Sequence, residues 1–110
     1  MSEFLPFEAE IVRVLCEKAL DAEVLELVLR EATLVELDYT GHGYCLTVRH
    51  EGLPVERVVC HVPSVSGSAE GILCGFLVFI EENELMLECH GYGDLIEMGF
   101  RDKAIALEFG

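Results

Sequence analysis

A chain of 110 residues that is 52% hydrophobic and carries 21 acidic against 7 basic side chains, for a formal charge of −14, is one domain by size. The seven basic residues are scattered, which excludes the basic stripe that displaces counterions from a nucleic acid and disfavours anionic membrane surfaces. What remains is a core-forming chain with a negative surface, steered by its charge toward basic partners.

The first third predicts two helices. Pro6 suits a first helical turn, and Phe7, Ile11, Val14 and Leu15 recur at helical spacing, with Glu8, Glu10 and Glu17 assigned to other faces. Asp21 reads as the N-cap of a second helix from 22 to about 31, in which Val24, Leu25, Val28 and Leu29 cover most of the circumference. After Ala32 the period changes from about 3.6 to 2, the switch from helix to strand. Residues 33–40 predict a strand with Val35, Leu37 and Tyr39 on one side and Glu36 and Asp38 on the other. Gly41-His42-Gly43 then supplies a tight reversal into a second strand over 44–50.

Residues 55–62 read as a third strand ended by Pro63, and 64–68 (Ser-Val-Ser-Gly-Ser) as a loop. The next strand, 71–81, is apolar on both faces from Gly75 to Ile80, which predicts cover on both sides. In so small a domain the second cover is expected to be another subunit. Glu82-Asn83 forms a turn into a strand over 84–90, Gly91-Tyr92-Gly93 interrupts, and 104–109 is the last strand. The fold class expected is α+β, a single domain over 1–110: two N-terminal helices (about 6–31) packed on a mostly antiparallel sheet of about six strands (about 33–109).

Cys16, Cys45, Cys60, Cys74 and Cys89 are odd in number and form no C-x-x-C pair, and the first residues lack the pattern of a secretory signal. A reducing, cytoplasmic location is expected. The longest apolar run, 72–80, is too short to span a bilayer. Cys60-His61 and Cys89-His90 offer metal-ligating types, but neighbours on a strand point to opposite faces, so no metal and no cofactor is expected. The glycine turns lead into strands rather than helix N-termini, which argues against a phosphate cradle.

Thr40-Gly41-His42-Gly43-Tyr44-Cys45 parallels Cys89-His90-Gly91-Tyr92-Gly93-Asp94. These segments define a candidate rim of His42, Cys89, His90, Tyr92 and Asp94, suited to a small enzyme or ligand-binding protein. The competing reading is two solvated glycine turns.

The passage from Leu29 to Tyr44, with Thr40-Gly41-His42-Gly43-Tyr44 ending the first strand, resembles a helix-to-strand passage in small bacterial α+β proteins of uncharacterised function. Residues 75–90, Gly-Phe-Leu-Val-Phe-Ile through Glu-Cys-His, resemble a hairpin of the same proteins, with Asn83 where a glycine is common. Some proteins of this type look like immunity proteins that neutralise a toxin by binding it. The resemblance implies a binding protein.

The function expected is therefore non-catalytic binding of a basic protein, with no nucleic-acid or membrane partner. Glu36, Asp38, Glu81, Glu82, Glu84 and Glu88 are expected to steer that partner, and His42, His90, Tyr92 and Asp94 to supply local fit. Self-association through the apolar surface around residues 76–80 is also expected, and an obligate homodimer with a structural role is the third reading.

Overall fold

The computed structural model describes residues 3–93 and 95–110. Helix α1 (Pro6–Cys16) begins with its proline in the first turn, and α2 (Ala22–Glu31) follows the extended residue Asp21, whose side chain makes no capping hydrogen bond. Six strands follow: β1 (Thr33–Tyr39), β2 (Gly43–Arg49), β3 (Val58–Ala69), β4 (Ile72–Glu81), β5 (Glu84–Gly91) and β6 (Ala106–Phe109). A short 3₁₀ helix, Phe100–Asp102, precedes the last. They form one six-stranded antiparallel sheet in the order β1-β2-β5-β4-β3-β6. This is the α+β architecture expected.

Two hairpins are closed by two-residue turns whose central residues all have positive φ: Glu70-Gly71 and Glu82-Asn83. Such turns match the right-handed twist of the strands they join. Asn83 adds an anchor that glycine could not, because its side-chain amide donates to the Leu53 carbonyl at 2.6 Å. The backbone of the same turn donates to Pro54 and Val55, tying the 50–57 connection down.

Both helices lie on one face of the sheet, with α1 packed against β3 and β4. The register explains why that face is dry. Leu46 of β2 stands opposite Leu87 of β5, which stands opposite Val78 of β4; Val48, Leu85 and Ile80 form the next row. All six are no more than 1% exposed. From α1 and α2, Ile11, Val12 and Val28 close the layer and are wholly buried. Burial of this kind contributes about 1.5–3 kcal/mol per large side chain.

Three expectations change. First, β3 does not stop at Pro63. Its pairing with β4 slips between Cys60 and Val65, and that irregularity accommodates the residue with no N–H to donate. Residues 64–68 are strand, and 65–68 are paired on both sides, with Val65 opposite Phe109 and Ser68 opposite Ala106. Their small size serves packing: a Cβ on Gly67 would lie 2.9 Å from Ile105 Cγ2 and 3.0 Å from Phe76 Cε2. Second, a register break between Leu34 and Glu36 takes Val35 out of the predicted row. Leu34, Leu37 and Tyr39 pair on the helix side, against Val48, Leu46 and Tyr44.

Third, Glu8 is not on a polar face. It is completely buried, and both carboxylate oxygens are saturated. Oε1 accepts from the Leu5 backbone N–H at 2.8 Å and from Arg101 Nη2 at 2.6 Å. Oε2 accepts from the Tyr44 hydroxyl at 2.6 Å and from Arg101 Nε at 3.0 Å. The bidentate guanidinium bridges the first helix to the 3₁₀ segment, 93 residues apart in sequence. Hydrogen bonding to Glu8 holds the Arg101 guanidinium above its ordinary pKa, while burial and then the Glu8 charge push the Tyr44 phenol up.

A buried carboxylate stripped of its counter-charge is costly. Arg101→Ala is expected to lower unfolding free energy by about 3 kcal/mol, and Tyr44→Phe by about 1.5 kcal/mol. Urea denaturation of each variant and of the double variant measures both, and the two losses should fall short of additive because they share one acceptor.

Candidate functional site

Among the described residues no helix lies over the opposite face of the sheet, and here the predicted carboxylates meet. Alternation sends Glu36 and Asp38 of β1, Glu84, Glu88 and His90 of β5, and Glu81 of β4 to this side. The register arranges them in rows. Asp38 stands opposite Cys45, Cys45 opposite Glu88 and Glu88 opposite Leu77. The next row runs from Glu36 through Thr47 and Met86 to Phe79, and the one beyond pairs Arg49 with Glu84 and Glu84 with Glu81. Glu82 belongs to the turn joining β4 and β5.

The middle row is the floor of an open depression of about 470 Å³, in which Thr47, Phe79 and Met86 lie between Glu81, Glu84 and Glu88. Arg57 leans over it. Its guanidinium carbon is 5.7 Å from the Phe79 ring centroid, and Nη1 lies 3.2 Å from Glu81 Oε2. Arg49 reaches Glu84 at 3.4 Å. Glu88 faces only His90, at 3.9 Å. Among the described residues Glu36 and Asp38 have no ion-pair partner. The face thus keeps an excess of carboxylate around an apolar floor.

Cys45 reports the resulting field. Burial is the main cause that raises its thiol pKa, and Glu88, Asp38 and Glu36 each raise it further. The other four cysteines are buried on the helix side as free thiols. Cys16 hydrogen-bonds with Cys60 and Cys89 with Cys74, and those bonds together with burial push the Cys16 and Cys89 thiols far up.

The predicted rim comes together in part. His90 and Tyr92 meet edge-on with ring centroids 5.5 Å apart. They meet above Gly75, where a Cβ would lie 2.2 Å from the Tyr92 hydroxyl and 2.7 Å from His90 Nε2. The missing side chain is what lets both rings lie against the sheet. His42 sits in the β1–β2 turn, its carbonyl accepting the Gly91 N–H at 2.6 Å, beside the end of the His90 strand. Cys89 points to the helix side and is buried, so it does not join His90. Asp94 lies outside the described residues. Among the described residues no group of three or more His, Cys, Asp or Glu side chains is arranged to hold a metal ion.

The sequence offered these carboxylates as exposed groups but did not show that they share one face, nor the floor and the arginine between them. Phe79 was within reach, since a strand apolar on both sides must present one row outward. Arg57 was not, because it lies in an aperiodic connection.

No family model, curated protein or solved structure matches the chain. Among the described residues no helix is long and apolar enough to cross a membrane.

The carboxylate field on this face has a direct readout. Cys45 is expected to be the only thiol alkylated by iodoacetamide in the folded protein. Glu88→Gln should speed that reaction by lowering the thiol pKa. Raising salt from about 0.15 M to about 1 M, which shortens the screening length from about 8 Å to about 3 Å, should do the same in the unsubstituted protein. A rate that ignores both changes would mean burial alone governs this thiol.

Proposed function

We propose that this protein binds a basic protein partner through the helix-free face of its sheet, without catalysis, in the manner of an immunity-type inhibitor that masks its target. The observation that carries the reading is the composition of that face. Carboxylates from β1, β4 and β5 surround a floor of Phe79, Met86 and Thr47, and two arginines offset only part of their charge.

Each part has a role in binding. The carboxylates steer a cationic surface into encounter, a long-range effect that weakens with salt. The aromatic and thioether floor then takes the aliphatic stems and flat guanidinium faces of lysine or arginine side chains. Arg57 lies over Phe79 with its charge paired to Glu81, which is the arrangement an arginine of the partner would copy. His90 and Tyr92 stand at one end of the same face and offer polar edges for orientation. A second copy of the chain is less suited to this surface, because it would bring carboxylates against carboxylates.

The test separates this face from net charge alone. The protein immobilised from a low-salt host lysate is expected to retain a basic protein that moderate salt releases. Glu36→Gln, Asp38→Asn, Glu81→Gln and Glu88→Gln together should lower affinity for that protein by at least about a hundredfold, or about 2.7 kcal/mol. A control with the same net charge, carrying Glu10→Gln, Glu17→Gln, Glu23→Gln and Asp21→Asn at exposed positions in and beside the helices, should bind like the original. Equal losses in both variants would remove the sheet face from the reading.

A further inference from the structure

The free edge of β1 adds an exposed backbone and apolar side chains to two of the carboxylates of the open face. β1 pairs with β2 on one side and stands at the end of the sheet. Every residue from 33 to 38 is exposed. Helix α1 packs over β3 and β4, away from β1, and Leu34 and Leu37 on the helix side of β1 remain 48% and 37% exposed. The opposite side of the same strand carries Glu36 and Asp38, which have no ion-pair partner among the described residues.

Exposed strand edges are templates for another strand, and proteins normally blunt them with charge, bulges or a cover. β1 has the bulge at Val35 and the two carboxylates. It is nevertheless held firmly at its far end: the Tyr39 hydroxyl accepts the Arg101 backbone N–H at 3.4 Å, and Gly41 accepts from Ile96 N–H at 3.0 Å. Residues 36–39 are therefore a preorganised, regularly alternating segment beyond the bulge. The other edge strand, β6, is four residues long.

The charges on β1 choose among occupants. An antiparallel pairing of two copies that set Leu37 against Leu37 would set Glu36 against Asp38, twice, between chains each at −14. Like charges directly opposite destabilise a strand pair, and opposite charges stabilise it. A strand bearing lysine or arginine at alternate positions meets the reverse situation on the carboxylate side. Aliphatic residues between its charges would cover Leu34 and Leu37 on the other.

We propose that the β1 edge accepts an extended segment of the partner protein as a seventh strand, with basic side chains over Glu36 and Asp38 and aliphatic side chains over Leu37. The proposal rests on the basic-partner reading and specifies how part of that partner binds. Main-chain hydrogen bonds along 36–39 would supply affinity, and the alternation of charge and apolar contact would supply register.

Two synthetic peptides of equal charge decide it by calorimetric titration: (Lys-Val)₄, which can form a strand, and (Lys-Pro)₄, which has no N–H at alternate residues. The expected result is at least about tenfold tighter binding of (Lys-Val)₄. Amide exchange should slow at residues 36–39 when it binds. Leu37→Glu, at an exposed position that leaves the core intact, should weaken (Lys-Val)₄ by about tenfold while leaving (Lys-Pro)₄ unchanged or slightly tighter. Equal, salt-sensitive affinity for both peptides would overturn strand addition and leave the basic-partner reading standing. Failure of both to bind at about 1 mM would overturn the two together.

Discussion

The carboxylate of Glu8 is the constraint around which the rest of the fold is organised. A charge without access to water must be paired and hydrogen-bonded or it costs several kcal/mol. Here its four hydrogen bonds come from three places in the chain: the backbone just before α1, the start of β2, and two nitrogens of an arginine in the C-terminal 3₁₀ turn. One side chain thereby fixes where the first helix sits on the sheet and where the 95–102 segment folds back beneath Tyr39 and Tyr44. Apolar burial supplies most of the driving force for folding, but it is non-directional. The ion pair supplies direction, since a bidentate guanidinium and a phenol tolerate little displacement.

How much of this was legible in the sequence follows from the range of each signal. α2, the switch from helix to strand after Ala32 and the Glu82-Asn83 turn depend on neighbours within a few residues, and all were readable, although the bulge at Val35 was not. Glu8 depends on a residue 93 positions away. A local sign of it existed even so, because Glu8, Ile11, Val12 and Leu15 fall at i, i+3, i+4 and i+7, the spacing of a buried stripe. A glutamate in that stripe asks for an explanation. Pro63 misled for a complementary reason. Proline forbids a regular ladder position, yet an irregularity between Cys60 and Val65 removes the ladder where it stands. At the candidate site, parity turned the carboxylates of each strand away from its apolar residues, but only the register brings those of β1, β4 and β5 onto one face. The placement of Tyr92 over Gly75 could not, because that segment has no period.

The sheet divides the molecule into two chemical environments about one strand thick. On the helix side, Leu46, Leu87 and Val78 make a dry row; one residue along, Thr47, Met86 and Phe79 make the floor of an acidic depression. An apolar strand such as β4 is therefore serving two surfaces, and only one of them is completed by this chain. In the proposed function, the charge that keeps the second surface hydrated in the free protein is also the charge that selects its partner. Solubility and recognition need not be separate properties here.

The distance between Glu8 and Arg101 also has a meaning in time. Synthesis runs at about 5–20 residues per second, so Glu8 is made about 5–20 s before the arginine that neutralises it. Throughout that interval the nascent helix carries an acidic group in its apolar stripe and lacks the counter-charge that neutralises it in the folded protein. Hydration of that one carboxylate opposes early docking of α1 on the growing sheet. The ion pair that completes the core is thus available only once the last turn has been made.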